Sequence, residues 1–205
     1  MTQFSRTETE AGRETETDDA TLIQLSQHDP EQFTVLFYRH APYIQRYVTR
    51  RLGQDAADDI VAETFLLAFR QRDSYHGDRA DARPWLYGIA TNLIGRQRRA
   101  EIRQYRALSR TGADPVLEPF TDRVDDQISA QADSRRLAAV LARLPTDLRD
   151  TLLLVAWGDL SYEQAAAALG VPVGTVRSRV SRARAKLRRA IDGTKPTVVR
   201  EESQS

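Results

Sequence analysis

From Ser161 the chain reads Ser-Tyr-Glu-Gln-Ala-Ala-Ala-Ala-Leu-Gly-Val-Pro-Val-Gly-Thr-Val-Arg-Ser-Arg-Val-Ser-Arg-Ala-Arg, ending at Arg184. Ser161 can cap a helix that buries Ala165, Ala166 and Leu169, Gly170 supplies a turn, and a second helix buries Val176, Val180, Ala183 and Leu187. With those residues inward, the 3.6-residue period places Ser178, Ser181, Arg182 and Ala185 outward, with Thr175, Arg177 and Arg179 on the flanks. Short side chains permit close approach, arginine forks match guanine O6 and N7 or phosphate oxygens, and serine hydroxyls serve either. The chemistry available is hydrogen bonding in the major groove of DNA, and the pattern is that of a helix-turn-helix. A solvated basic helix in a plain helical hairpin is the competing reading. Arg184, Lys186, Arg188 and Arg189 fit phosphate contacts or a solvated helix end, which would position rather than specify.

Other chemistry finds little material in these 205 residues. Cysteine is absent, which removes disulfides, thiolate metal sites and thiol nucleophiles together. His28, His40 and His76 have no ligand spacing, so they read as surface or hydrogen-bonded histidines, and no metal or cofactor is expected. The glycines form no nucleophile elbow, P-loop or dinucleotide fingerprint, which makes an enzyme the weaker class. The longest apolar run, Leu152 to Trp157, is six residues, far below the ~20 needed to span a bilayer. Met1 to Ala20 is acidic and lacks the apolar core of a secretory signal, so a cytoplasmic protein without membrane insertion is expected.

A formal net charge of +1 conceals segregation by sign, which is what a polyanion would sense. Seven basic residues and no acidic one lie between Arg177 and Arg189, and five arginines face only Glu101 between Arg96 and Arg106. Ala107 to Asp133 instead holds six acidic and two basic residues with Gly112, Pro115 and Pro119, and reads as a flexible linker. Arginine supplies nearly all the positive charge, with Lys186 and Lys195 the two lysines. GC-rich coding alone also favours arginine, so position carries the argument.

The elements that must position these residues are all helical. A short helix over Thr21 to Gln27 is closed by His28-Asp29-Pro30. A second runs from Pro30 or Glu31 to Leu52, with Phe33, Leu36, Phe37, Tyr43, Ile44 and Val48 inward and Gly53 as its stop. A third, Ala56 to Gln71, buries Ile60, Val61, Thr64, Phe65, Ala68 and Phe69, and leaves Asp59, Ala62, Glu63 and Leu66 on a separate stripe. After a loop from Arg72 to Arg83, a fourth opens at Pro84 and carries Trp85, Leu86, Ile89, Ala90 and Leu93 into the arginine stripe, ending near Arg106. The second half restarts at about Ser134 with Leu137, Val140, Leu141 and Leu144 on one helix ended by Pro145. A helix from Thr146 to Trp157 follows, with Thr146 as its cap and Leu148, Leu152, Leu153 and Val155 buried. The expectation is an all-α protein of two small helical domains: an acidic tail 1–19, a domain 20–106, a linker 107–133, a helix-turn-helix domain 134–192 and a tail 193–205.

Four stretches in order resemble the extracytoplasmic-function (ECF) sigma factors of bacterial RNA polymerase. Leu169 to Arg184 resembles their region four; His28 to Phe33, Ala57 to Phe65 and Trp85 to Ile94 resemble their region two. The resemblance implies a promoter-specificity subunit that recruits core RNA polymerase, through its β′ clamp and β flap, to -10 and -35 elements of promoter DNA, and that an anti-sigma factor regulates. It places Asp59, Ala62, Glu63 and Leu66 on the polymerase, with Ala62 where the family usually has glutamine; simple solvated carboxylates are the alternative for Asp59 and Glu63. It places Thr175, Arg177, Ser178, Arg179, Ser181 and Arg182 on the -35 duplex, with a bias toward an AAC-containing core.

The resemblance places Tyr75, His76, Asn92, Arg96, Arg98 and Arg99 on the -10 element, and their types suit a cationic groove for unstacked bases. Trp85 and Tyr87 are of the same types, although the spacing of Trp85 with Ile89 favours core for the tryptophan. Gly95 replaces a family aspartate. The linker would run near the RNA exit path, either mimicking nucleic acid or serving as a tether, and the acidic tail could screen the basic stripes. Two other readings remain: a stand-alone helix-turn-helix regulator, which would dimerise on palindromes, and a nucleic-acid-processing enzyme.

Overall fold

In the computed structural model, residues 17–75, 80–109 and 137–192 are described, with the side chains of 104–109 and 191–192 excepted. Eight α-helices and a single 3-10 turn make up the regular structure of these residues. They are α1 (Asp19–Leu25), α2 (Gln32–Leu52), α3 (Ala57–Arg70), the 3-10 turn (Arg72–Ser74), α4 (Arg83–Ser109), α5 (137–143), α6 (Thr146–Ala156), α7 (Tyr162–Leu169) and α8 (Val173–Asp192). The all-α expectation holds. Residues 1–16 of the expected acidic tail, the 193–205 tail and almost all of the 107–133 linker, with the roles read for them, lie outside the described residues, as does His76; Asp18 and Asp19, read as the end of the tail, belong instead to the folded domain as the cap and first residue of α1.

The starts of α2, α3 and α4 fall within one or two residues of the sequence reading, and two helices are capped differently from it. α1 begins at Asp19 because Asp18 caps it, accepting from the Thr21 amide at 2.8 Å. α6 is capped by Pro145, with Thr146 its first residue: the proline sits in extended geometry (φ -50°, ψ 139°) and has no N–H to leave unpaired there.

In the first half, α2 packs on α1, α3 and α4. Its buried stripe is Phe33, Leu36, His40, Ile44, Tyr47, Val48 and Arg51. Phe37 and Tyr43, expected inside, are 38% and 47% exposed; Phe37 instead lies over the edge of Phe65, with ring centroids 4.9 Å apart. The apolar positions of α3 fall as expected, with Phe69 half-buried against Phe33. In the second half, α6 and α7 pack on α8, with Val176, Val180 and Ala183 inside. Leu141 and Leu144 are buried, whereas Leu137 on α5 is 41% exposed.

Asp19 ties the beginning of the fold together. Its carboxylate accepts from Arg39 at 2.6 Å and from the Ala82 amide at 2.9 Å, and lies 2.7 Å from His40 Nε2. Burial alone would raise its pKa, but the His40, Ala82 and Arg39 hydrogen bonds outweigh burial and hold it at about 2. Because the folded value lies below the unfolded one of 3.8, this stabilisation is present above pH 4 and is lost as pH falls toward 2. The shift corresponds to about 2 kcal/mol. Acid unfolding of Asp19→Asn followed by circular dichroism should show a lower plateau stability and a flatter dependence between pH 4 and 2 than the parent.

The two halves form one packed body. α4 of the first half lies along α7 of the second, and Gly88 permits the approach: a Cβ there would sit 2.5 Å from the Ala168 carbonyl oxygen. A buried ion pair crosses the same seam. Arg51, 1% exposed, donates through Nη1 to the Tyr47 hydroxyl at 2.8 Å and through Nη2 to the Asp150 carboxylate. Tyr47 in turn meets Thr91 Oγ1 at 3.0 Å and the edge of Tyr87. At the other end of the seam, Gln164 Nε2 donates to Asp81 Oδ2 at 2.8 Å.

Candidate nucleic-acid and polymerase interfaces

The turn before α8 is built as its residues dictate. Ser161 Oγ accepts from the Gln164 amide at 3.1 Å while Gln164 Oε1 accepts from the Ser161 amide at 2.8 Å, a reciprocal capping box. Gly170 closes α7 with φ +63°, a left-handed conformation that favours glycine. Ala165 and Ala166 are buried between α7 and its neighbours, and their small size lets α7 and α8 cross closely.

Of the residues placed on the duplex, Arg177, Ser178, Ser181 and Arg182 are exposed, and Thr175 and Arg179 are half-buried. Ser178 Oγ donates to the Thr175 carbonyl at 2.9 Å, and Arg182 folds back onto Ser178, donating to its carbonyl at 3.3 Å and its hydroxyl at 3.2 Å. These exposed contacts are exchangeable for contacts with a base edge or phosphate. Arg179 is differently placed: its Nε lies 3.4 Å from Asp147, binding α8 to the start of α6. Arg177 stands 3.9 Å from Glu163. That carboxylate is held below its usual range by its own backbone amide and the Ser161 side chain, with Arg177 a lesser cause.

On α3, Asp59, Ala62, Glu63 and Leu66 all face solvent along one stripe, opposite the buried Ile60, Val61, Thr64 and Phe65. Leu66 is 47% exposed, a large apolar side chain among acids. On α4, Asn92, Arg96 and Arg99 are exposed at i, i+4 and i+7, one face of the helix.

Four further residues with the types of a base-binding groove are placed otherwise. Arg98 turns inward and donates to the Arg51 carbonyl at 2.8 Å. Burial, with Arg149 and Arg51 nearby, lowers its pKa to about 10. Tyr75 is half-buried against Trp85, ring centroids 4.9 Å apart, and its hydroxyl lies 3.4 Å from the Asp81 carbonyl. Tyr87 is buried at 2% exposure against Tyr47 and Gly158, so it offers no surface for a base. Trp85 is half-buried against the core, as its spacing with Ile89 favours. The seam residues Arg51 and Asp150 carry no motif, and Gly88 lies within the Trp85–Ile94 stretch without any sign of the contact it makes, so the seam escapes a reading of the sequence.

Family models describe both halves in order: sigma-70 region 2 matches residues 36–104, and sigma-70 region 4 matches residues 134–187. The RNA polymerase sigma factor NccH of Alcaligenes xylosoxydans xylosoxydans is 31% identical over 173 residues, covering 83% of this chain and 92% of its own. The ECF RNA polymerase sigma-E factor of Escherichia coli K12 is 31% identical over 176 residues, covering 82% and 91%. Among solved structures, CnrH in complex with the cytosolic domain of CnrY has a TM-score of 0.61 at 26% identity, covering 86% of this chain and 99% of that one. RpoE of Bartonella quintana, solved with the anti-sigma factor NepR, has a similar fold, with a TM-score of 0.60 at 24% identity over 80% of this chain and 99% of that one. The presence of both regions, in order and over most of the length of these relatives, sets aside a lone helix-turn-helix regulator or a nucleic-acid-processing enzyme: the chain belongs to the extracytoplasmic-function sigma factors, the non-enzymatic subunits that give RNA polymerase its promoter specificity.

Proposed function

We propose that this sigma factor reads the -35 duplex with the exposed face of α8 and the single-stranded -10 element with Asn92, Arg96 and Arg99 of α4, while the Asp59–Ala62–Glu63–Leu66 stripe of α3 docks on the β′ clamp of core RNA polymerase. Region 4 also meets the β flap, the protein works in the cytoplasm, and an anti-sigma factor covers these surfaces until transcription is required. The functional units are residues 20–106 and 134–192. The observation that carries this reading is the combination of faces. α3 and α8 each present one exposed stripe to solvent, acidic and apolar on α3 and cationic on α8, while the opposite face of each helix is buried. Among the described residues no helix is long and apolar enough to cross a membrane.

In this reading Arg179, held by Asp147, positions α8 on phosphates, whereas Arg182 and Ser178 exchange their mutual hydrogen bonds for base contacts. Arg182→Ala is then expected to lower discrimination at one -35 position by about 1–3 kcal/mol. The check is a competition binding series of holoenzyme on single-base promoter variants. Equal weakening on every sequence would make Arg182 a phosphate contact instead.

The polymerase stripe is tested directly by Glu63→Arg combined with Leu66→Asp, both fully outside the core. Affinity for core polymerase, measured by fluorescence anisotropy, should fall about tenfold or more, as for a central interface cluster. Unchanged helix content by circular dichroism would show that the fold is intact. Unaltered affinity would remove α3 from the polymerase interface.

A further inference from the structure

α1 is only seven residues long, and it precedes residue 36, where the match to sigma-70 region 2 begins. Its two ends nevertheless grip one and the same segment, the connection from α3 to α4. At the C-terminal end, Ser26 closes the helix and its carbonyl accepts from Arg72 Nε at 3.2 Å. The same guanidinium donates through Nη1 to the Phe69 carbonyl at 2.7 Å and lies 3.9 Å from the centre of the Phe69 ring, so Arg72 joins the end of α3 to the end of α1. At the N-terminal end, the Asp19 amide donates to the Ala80 carbonyl at 3.1 Å, and the Asp19 carboxylate accepts from the Ala82 amide. Leu22 and Ile23, between the two grips, are buried and fix the helix on the core. Between Arg72 and Ala82, by contrast, Asp73, Ser74 and Ala80 are exposed, and Tyr75 and Asp81 are half-buried. The connection is therefore held by clamps at its ends more than by burial of its own side chains.

We propose that α1 is a brace that presets the α3–α4 connection for the separated -10 strand, with Arg72 as its positioning residue. The proposal rests on the reading of region 2 as the half that meets the -10 element. In that reading α4 offers Asn92, Arg96 and Arg99 to unstacked bases, and the connection leads directly into α4. A segment clamped before its ligand arrives loses less conformational freedom on binding than one that must first be ordered. The brace thus acts on capture of the single strand and not on recognition of the -35 duplex, which falls to α8, nor on the polymerase stripe of α3. Arg72 itself touches no DNA in this account; it acts through the connection that it anchors.

The test uses the full-length protein assembled with core RNA polymerase, on promoters that the parent holoenzyme opens. Arg72→Ala removes the guanidinium from the Ser26 carbonyl, the Phe69 carbonyl and the Phe69 ring at once, whereas Arg72→Lys can serve one carbonyl at a time. For Arg72→Ala, affinity for core polymerase and formation of the closed complex on duplex promoter in the cold should both match the parent. Holoenzyme affinity for a fluorescent single strand carrying the -10 sequence should fall about tenfold, the order of one lost hydrogen bond. The share of promoter with permanganate-reactive -10 thymines should fall with it, and Arg72→Lys should lie between Arg72→Ala and the parent. A merely structural role for Arg72 would lower core affinity and closed-complex formation as well, and that outcome would overturn the proposal. So would single-strand affinity and permanganate reactivity equal to those of the parent. If Arg72→Ala proves unfolded by circular dichroism, Arg72→Lys decides by the same comparison. A parent holoenzyme that opens no promoter and binds no -10 strand would overturn the -10 reading itself, and the brace with it.

Discussion

Replacing Asp150 with alanine is expected to part the two halves of the protein. The substitution strands the Arg51 guanidinium, which is 1% exposed and keeps only the Tyr47 hydroxyl as a side-chain partner. Breaking a buried pair by removing one member costs about 3–5 kcal/mol, because the remaining charge stays desolvated. Opening the seam returns Arg51 to water, so the loss falls on the union of the halves rather than on the helices of either. Small-angle scattering should show a larger radius of gyration and maximum dimension, with helix content unchanged by circular dichroism. The double variant Arg51→Met/Asp150→Leu, which removes both charges and fills similar volume, should return to the compact dimensions. A scattering curve for Asp150→Ala that matches the parent would show that the ion pair does not hold the seam.

The second large effect concerns Gly88. An alanine methyl there meets the Ala168 carbonyl oxygen at 2.5 Å, and a backbone atom cannot swing aside as a flexible side-chain end can. Overpacking of this kind costs about 1–3 kcal/mol, and the contact distance argues for the upper part of that range. Gly95 on the same helix is the matched control. A Cβ there finds the Arg99 guanidinium at an ordinary 3.6 Å, so Gly95→Ala should add stability by about 0.5–1 kcal/mol through helix propensity alone. Thermal unfolding of the pair should therefore move in opposite directions. A stabilised Gly88→Ala protein would mean that α4 and α7 do not approach as closely as described.

How far the sequence carries the account is visible in particular residues. Ser161, Gly170, Val176 and Val180 all stand where their types require, because a cap, a left-handed turn and a buried helical stripe are each encoded locally. The exposed polymerase stripe on α3 also follows from its 3.6-residue period. α2 was harder to read, since two of the positions on its buried face hold His40 and Arg51. Polar types there signal solvent until their partners Asp19 and Asp150 are known, and those lie far away in sequence. Phe37 and Tyr43 depart in the opposite direction, as aromatic types on the half-covered edge of the helix rather than on its buried face.

Arg98 and Tyr87 belong to the same class of difficulty. A cationic and an aromatic residue among others suited to nucleic acid are indistinguishable by type. Only the packing of α2 against α4 turns Arg98 onto the Arg51 carbonyl and Tyr87 into the core. The seam itself is encoded by Gly88, Arg51 and Asp150, three residues that no shared period or motif links to one another.

The most direct test of the central claim, that this protein gives RNA polymerase its promoter specificity through two separate recognition surfaces, is run-off transcription. A library of genomic fragments is transcribed with purified core polymerase, with and without the protein. The account predicts discrete new start sites, preceded at fixed distances by shared -35 and -10 sequences, that disappear with the Glu63→Arg/Leu66→Asp variant. Start sites identical to those of core polymerase alone, with binding to duplex DNA intact, would contradict it.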